Sequence, residues 1–178
     1  MEETKLKDAD YMTEDKVLVK DELVNDDSDI GESVKDNFSN GSRYLMFELG
    51  DEQYGVNIEY VIEIIGIQDI TNLPGTPKYV KGLINLRGKI IPLIDARKKF
   101  GKEEKEYNDR TCVIVLEMEN IMVGLVVDII SDVMFIRENQ MESAPEIGRI
   151  KTNKYISKIA KINQEVKLLL DCKKLINE

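Results

Sequence analysis

The chain has 178 residues and a formal net charge of −9, with no histidine and no tryptophan. It is long enough to bury a core as one domain or two small ones, and its acidic balance leaves no basic footprint for nucleic acid. The missing histidine removes the commonest general base and metal ligand, so no Ser–His or Cys–His nucleophile pair exists within it.

The acidity sits at the front. Residues 1–41 carry thirteen acidic and five basic side chains, and residues 42–178 carry twenty-one and twenty. Low hydrophobicity with charge of one sign predicts a disordered arm over residues 1–41. Its apolar patch, Tyr11–Val24, reads either as part of a mobile tail or as a segment that folds on a partner. Met1 precedes two glutamates where a basic n-region would stand, so no secretory signal is expected. The most apolar run, Ile121–Ile130, is broken by Asp128 and falls short of the ~20 residues of a membrane helix, so no membrane insertion is expected. Cys112 and Cys172 lack CxxC spacing, which predicts reduced thiols in a cytoplasmic setting.

From Arg43 the pattern turns to short β-like runs. Tyr44–Leu49 and Tyr54–Ile58 flank the turn composition Gly50–Gln53, and Val61–Ile67 follows. Leu73–Lys81 carries Pro74, Gly75 and Pro77 and reads as a loop with a helical turn after Pro77. Gly82–Asp95, GLINLRGKIIPLID, is a predicted tight hairpin around Arg87-Gly88. Asp95 is placed to cap a short helix through Phe100, and Gly101 to end it. Lys102–Arg110 is loop-like. Thr111–Met118 and Ile121–Val127 form a hairpin around Glu119-Asn120, and Ile129–Ile136 is a further strand. Glu138–Tyr155 is polar and is expected to wrap the surface. Ser157–Ile162 and Val166–Leu170 form a last hairpin around Asn163-Gln164, before a closing helix Cys172–Ile176 capped by Asp171. Nine or ten short strands with only short helices predict two small barrels over a βαβ sheet. No repeat of about 20–50 residues is evident, although two barrels can be related without one.

No GxxxxGK[ST] or GxGxxG motif occurs, so no phosphate-cradling loop is expected. A carboxylate-only hydrolase would rest on Asp95 and Asp128, each of which follows an apolar strand. The competing reading gives Asp95 a helix cap and Asp128 the end of a strand. No positive feature supports catalysis, and no cofactor or metal is expected.

The remaining features suit binding. Arg87 puts a guanidinium with five fixed donors at the tip of an apolar hairpin, where it is either a solvated turn residue or an interface anchor. Gly88 meets the positive φ of a tight turn without strain. Glu63 lies inside the apolar run VIEII and is expected to point to solvent, the other reading being a pair with a partner's base.

The order YxxFELGDEQYGVNIEYVIEII, ITNLPGTPKYVKGLINLRGKIIPLIDARKKFG, VGLVVDIISDV and LLLDCKKLI resembles the CheW family of chemotaxis coupling proteins, from about Arg43 to the C-terminus. The NLRG–IPLID hairpin with its preceding PxYVKG is the most specific part. The resemblance implies a mainly β domain over 42–178, two small five-stranded SH3-like barrels packed together with a few short helices. It implies a non-enzymatic adaptor between methyl-accepting chemoreceptors and the histidine kinase CheA, cytoplasmic and recruited to the inner face of the membrane through receptors. The partner surfaces would be the kinase's CheW-like regulatory domain and the cytoplasmic tip of the receptor's helical hairpin. The alternative is a CheW-like regulatory module of another two-component pathway. By the same resemblance Arg87 lies on the receptor-facing surface with Glu63 close by, and Asn85, Leu86, Gly88, Val61 and Ile65 complete the partner-binding set. Apolar side chains between the barrels would receive a receptor helix, and which of Val61, Ile65, Leu83 and Leu86 face that groove is left open. Two positions depart from the family pattern: Lys158 stands where Gly is usual, expected to alter a bulge or close contact, and Asn57 where Pro is common.

Overall fold

In a computed structural model the described residues are 40–144 and 154–177. Residues 1–39 of the arm and residues 145–153 of the polar stretch lie outside them. Among the described residues eleven strands are formed: β1 (Gly41–Leu49), β2 (Glu52–Asn57), β3 (Val61–Gly66), β4 (Val80–Leu86), β5 (Lys89–Asp95), β6 (Cys112–Met118), β7 (Ile121–Val127), β8 (Ile129–Arg137), β9 (Met141–Ser143), β10 (Ile156–Ile162) and β11 (Glu165–Leu170). Two short helices, α1 (Ala96–Lys99) and α2 (Cys172–Asn177), follow β5 and β11. The strands make two sheets, one of six in the order β8-β1-β2-β11-β10-β9 and one of five in the order β3-β6-β7-β5-β4. The fold is therefore mainly β in two units. They differ from a pair of five-stranded barrels in that β9 adds a sixth strand to one and, among the described residues, neither hydrogen-bond ladder closes.

Strands buried on both faces explain the continuous apolar runs. On β6, Ile114 and Leu116 face the six-stranded sheet, where they meet Leu45, Phe47, Leu49 and Val56 in one shared core. Val113 and Val115, one residue out of phase, fill the five-stranded unit's own interior with Ile65, Ile84, Leu86, Ile91 and Leu93. On β1, Tyr44 and Met46 similarly enter a third cluster with Ile136, Ala160 and Leu169. Each of these Val, Leu, Ile, Phe or Met side chains, fully buried, contributes about 1.5–3 kcal/mol.

The two units are related by an internal correspondence. Tyr79–Lys99 and Tyr155–Leu175 match residue for residue. Each begins with a tyrosine whose carbonyl accepts from the cap aspartate's amide, Asp95 to Tyr79 at 2.8 Å and Asp171 to Tyr155 at 2.7 Å. Each has a register shift early in the hairpin, between Val80 and Gly82 and between Ile156 and Lys158. In each the second strand runs parallel to a neighbour whose glycine faces a leucine, Leu93 with Gly124 and Leu169 with Gly55. A Cβ at either glycine would collide with that leucine's side chain, at 2.4 and 3.0 Å. Lys99 stands between the two tyrosines, 4.1 Å from the Tyr79 ring and 5.0 Å from the Tyr155 ring, a cation–π contact that ties the units together.

Local chemistry accounts for the connections. Asp95 caps α1 by accepting from the Lys98 amide at 3.1 Å. Gly101, at φ 71°, ends it with paired bonds from Gly101 to Lys98 and from Lys102 to Arg97. Pro77 opens a single reverse turn closed by the Val80 amide, where a helical turn was expected. Asn57, at the position where Pro is common, caps a one-turn 3-10 helix (Ile58–Tyr60) by accepting from the Glu59 amide. Lys158 borders the register shift in β10 and pairs with Glu138 at 3.0 Å. The surface stretch after β8 includes a 3-10 turn (Glu138–Gln140) and β9, neither of which the polar sequence signals.

Candidate interaction site: the arginine hairpin

The β4–β5 hairpin turns through Arg87 at φ 51° and Gly88 at φ 85°, a primed turn that matches strand twist. Asn85, just before the turn, accepts from the Gly88 amide at 2.8 Å. Arg87 then reaches β3, where its Nη2 lies 2.8 Å from Oε2 of Glu63. β3 and β4 are the two edges of the five-stranded sheet. The ion pair therefore spans the gap that the ladder leaves open. A second link lies beyond β3, where Thr71 and Leu83 exchange both backbone bonds at 2.9 and 2.8 Å.

The expected solvent orientation of Glu63 is corrected here. A bulge in β3 between Val61 and Glu63 turns the carboxylate to the same side as Ile65, and its side chain is only 4% exposed. Its base comes from this chain: Arg87, whose own side chain stays 53% exposed. One edge of the guanidinium holds the buried carboxylate while the rest faces water.

The other expected site residues divide by burial. Asn85 and Gly88 are exposed on the hairpin. Val61, Ile65 and Leu86 are buried at 0%, 3% and 5%, Val61 in the shared core and the other two inside the five-stranded unit. Leu83 is half-buried. An open groove of about 600 Å³ between the sheets is walled by Tyr44, Tyr60, Met118 and Leu170, and none of Val61, Ile65, Leu83 or Leu86 lines it. The hairpin's outer side also carries Ile90, 62% exposed and paired across the ladder with Asn85. Alternation in IIPLI could have marked Ile90 as outward. The Glu63–Arg87 pair had a weaker signal, an acid inside one apolar strand and a base at the tip of an apolar hairpin, 24 residues apart.

Asp95 and Asp128 are each committed elsewhere. Asp95 is buried, with one oxygen on the helix cap and the other accepting from the Tyr107 hydroxyl at 2.9 Å. Burial and the neighbouring Asp95 charge push the Tyr107 phenol well above its ordinary value. Asp128 receives Nε and Nη2 of Arg97, both at 2.7 Å, and the Gly50 amide at 3.0 Å. Burial alone would raise the Asp128 carboxyl, but the Arg97 and Gly50 hydrogen bonds and the Arg97 and Lys105 charges hold it below its usual range. Arg97 also donates to the Glu103 carbonyl, and Glu104 bridges Lys81 and Lys98, so this network fastens the loop after α1. Cys172 is buried, and burial first of all pushes its thiol up to about 12. No group of three or more Cys, Asp or Glu side chains that could hold a metal occurs among the described residues, nor is any helix there long and apolar enough to cross a membrane.

Two quasi-equivalent β units with an arginine-clasped hairpin, and with their carboxylates engaged in caps and ion pairs, define a binding module. The CheW-like domain family matches residues 43–178, and the chain belongs to that family. It is 38% identical over 137 residues to the chemotaxis protein CheW of Klebsiella aerogenes, covering 77% of this chain and 82% of that one. It is 32% identical over 138 residues to CheW of Bacillus subtilis, covering 78% and 88%. Among solved structures, the scaffolding protein CheW of Thermoanaerobacter tengcongensis matches with a TM-score of 0.69 at 34% identity, over 74% of this chain and 89% of that one. The protein is a non-enzymatic chemotaxis adaptor of the CheW family.

Proposed function

We propose that this adaptor couples transmembrane chemoreceptors to the histidine kinase CheA, with the Arg87 hairpin as the receptor-facing element. The observation that carries the reading is the division of labour in Arg87. Its Nη2 satisfies a buried carboxylate, and half of the side chain stays in water. A guanidinium held this way keeps donors free in a fixed orientation, suited to carboxylates or to the unpaired carbonyls of a helical turn. Gly88 and Ile90 flank it on the exposed hairpin, Asn85 bonds the turn's own backbone, and Val61, Ile65 and Leu86 hold the strands beneath. Recruitment to the membrane then follows from receptor binding.

The test is co-sedimentation of the adaptor and CheA with receptor-containing membranes, comparing wild type with Arg87→Lys and Arg87→Glu. Lysine keeps the charge but lacks the fork that serves Glu63 and a partner together. Both variants should recruit less kinase and weaken receptor control of its activity, Arg87→Glu the more. Equal recruitment and equal control in all three would remove Arg87 from the interface.

A further inference from the structure

The backbone of Arg87 is left-handed, a region that disfavours any residue with a Cβ. Two other two-residue hairpin turns share this geometry, at Glu119-Asn120 and Asn163-Gln164. By the internal correspondence between the units, Asn163 is the counterpart of Arg87, and asparagine is among the residues that visit this region most readily. The turn itself therefore gives no reason for an arginine. What distinguishes the β4–β5 turn is Asn85. In a primed two-residue turn the amide of the second central residue has no ladder partner, and the Asn85 side-chain oxygen takes the Gly88 amide at 2.8 Å. Glu117 and Lys161 occupy the corresponding places in the other two turns, and neither makes such a bond among the described residues.

We propose that Asn85 is a positioning residue for Arg87: by bonding the Gly88 amide it fixes the left-handed turn that aims the guanidinium at Glu63. This deepens the reading of Arg87 as the recognising group, and it assigns Asn85 an intramolecular task in place of partner contact. Asn85 and Glu63 hold the turn from its backbone and side-chain ends. The other two turns keep the same backbone without such a bond, so what Asn85 adds is a fixed orientation of the turn for the guanidinium.

The test compares Asn85→Ala, Asn85→Asp and Asn85→Gln in the full-length protein. Asp keeps an acceptor at the same distance, and Gln keeps the amide but displaces its oxygen by one methylene. The first readout needs no partner: the Arg87 Nε–Hε NMR resonance, with Glu63→Gln as the reference for the unclasped state. Asn85→Ala and Asn85→Gln should move it toward that reference, while Asn85→Asp stays near wild type. The second readout is binding to receptor-containing membranes, expected to weaken roughly 3- to 10-fold in Ala and Gln, the range of one lost hydrogen bond, and to recover in Asp. An unmoved resonance in Asn85→Ala, or an Asp variant that behaves like Ala, overturns the proposal. Lost binding with an unmoved resonance also overturns it, by making Asn85 a contact. A wild type that binds no receptor, with the resonance behaving as expected, removes the receptor reading alone and leaves the positioning role standing.

Discussion

Glu63 and Arg87, 24 residues apart on opposite edges of one sheet, meet at 2.8 Å with nearly all of the carboxylate buried and half of the guanidinium in water. The asymmetry of burial sets an asymmetry of cost. Removing Arg87 strands a buried carboxylate, whereas neutralising Glu63 leaves an arginine that water can solvate. Arg87→Ala should therefore destabilise by about 3 kcal/mol, and Glu63→Gln by about 1 kcal/mol. The double variant should recover part of the loss seen in Arg87→Ala. Urea denaturation of the three proteins checks this, and a Glu63→Gln variant as unstable as Arg87→Ala would show that the carboxylate is not the dependent partner.

Asp128 links acid stability to the loop after α1. Its carboxyl is held below the ordinary range against the opposing effect of burial, with Arg97 as the main cause of the lowering. A group whose folded pKa is depressed stabilises fully above its unfolded value, and that stability is lost as pH falls through the folded value. Wild type should thus lose stability between about pH 5 and pH 2 with a steeper slope than Asp128→Asn. Asp128→Asn should be the less stable of the two at neutral pH, because it leaves Arg97 without its charge partner. Equal slopes in denaturant midpoints across that range would mean the pair contributes nothing to acid unfolding.

Two glycines of the same hairpin should respond unequally to alanine. A Cβ at Gly82 would lie 2.3 Å from the Thr71 carbonyl oxygen, backbone that cannot move without breaking the Thr71–Leu83 bridge, and φ there is 142°. A Cβ at Gly88 meets nothing within 4 Å and carries only the positive φ of 85°. Gly88→Ala should cost about 1 kcal/mol, and Gly82→Ala about 3 kcal/mol or more from clash and strain together. Thermal melts that rank Gly88→Ala as the worse substitution would contradict the close approach of Thr71.

What the sequence made legible was local. The hairpins around Arg87-Gly88, Glu119-Asn120 and Asn163-Gln164, and the caps at Asp95 and Asp171, depend on neighbours within a few residues, so composition and spacing reveal them. β9 has three residues and no apolar alternation, and only its pairing with β10 makes it a strand. The burial of Glu63 escaped because both faces of β3 are buried, Val61 toward the shared core and Ile65 toward the five-stranded unit's interior, so neither face offers solvent. A shift between Val61 and Glu63 inverts the face that simple alternation assigns to every later residue. The kinship of the two units was hidden because it rests on geometry: Gly82 and Lys158, or Arg87 and Asn163, hold equivalent places with unlike side chains.

The acidic arm is tied to the domain at its last residues. β1 begins at Gly41, which pairs with Arg137, and the Glu138 amide donates to the Asn40 carbonyl at 3.0 Å. Deletion of residues 1–39 should leave the melting temperature within a few degrees of wild type, since the strand and this bond survive. Deletion through residue 43 removes three rungs at the β1–β8 end and should lower stability by a kcal/mol or more for lost backbone bonds, about 1 kcal/mol each. The arm carries most of the net charge, so its removal should also change the rate of association with charged partners, more at low than at high salt. Stopped-flow association at two ionic strengths and a thermal melt of each truncation decide the matter. An unfolded protein after removal of residues 1–39 would show that the arm belongs to the fold.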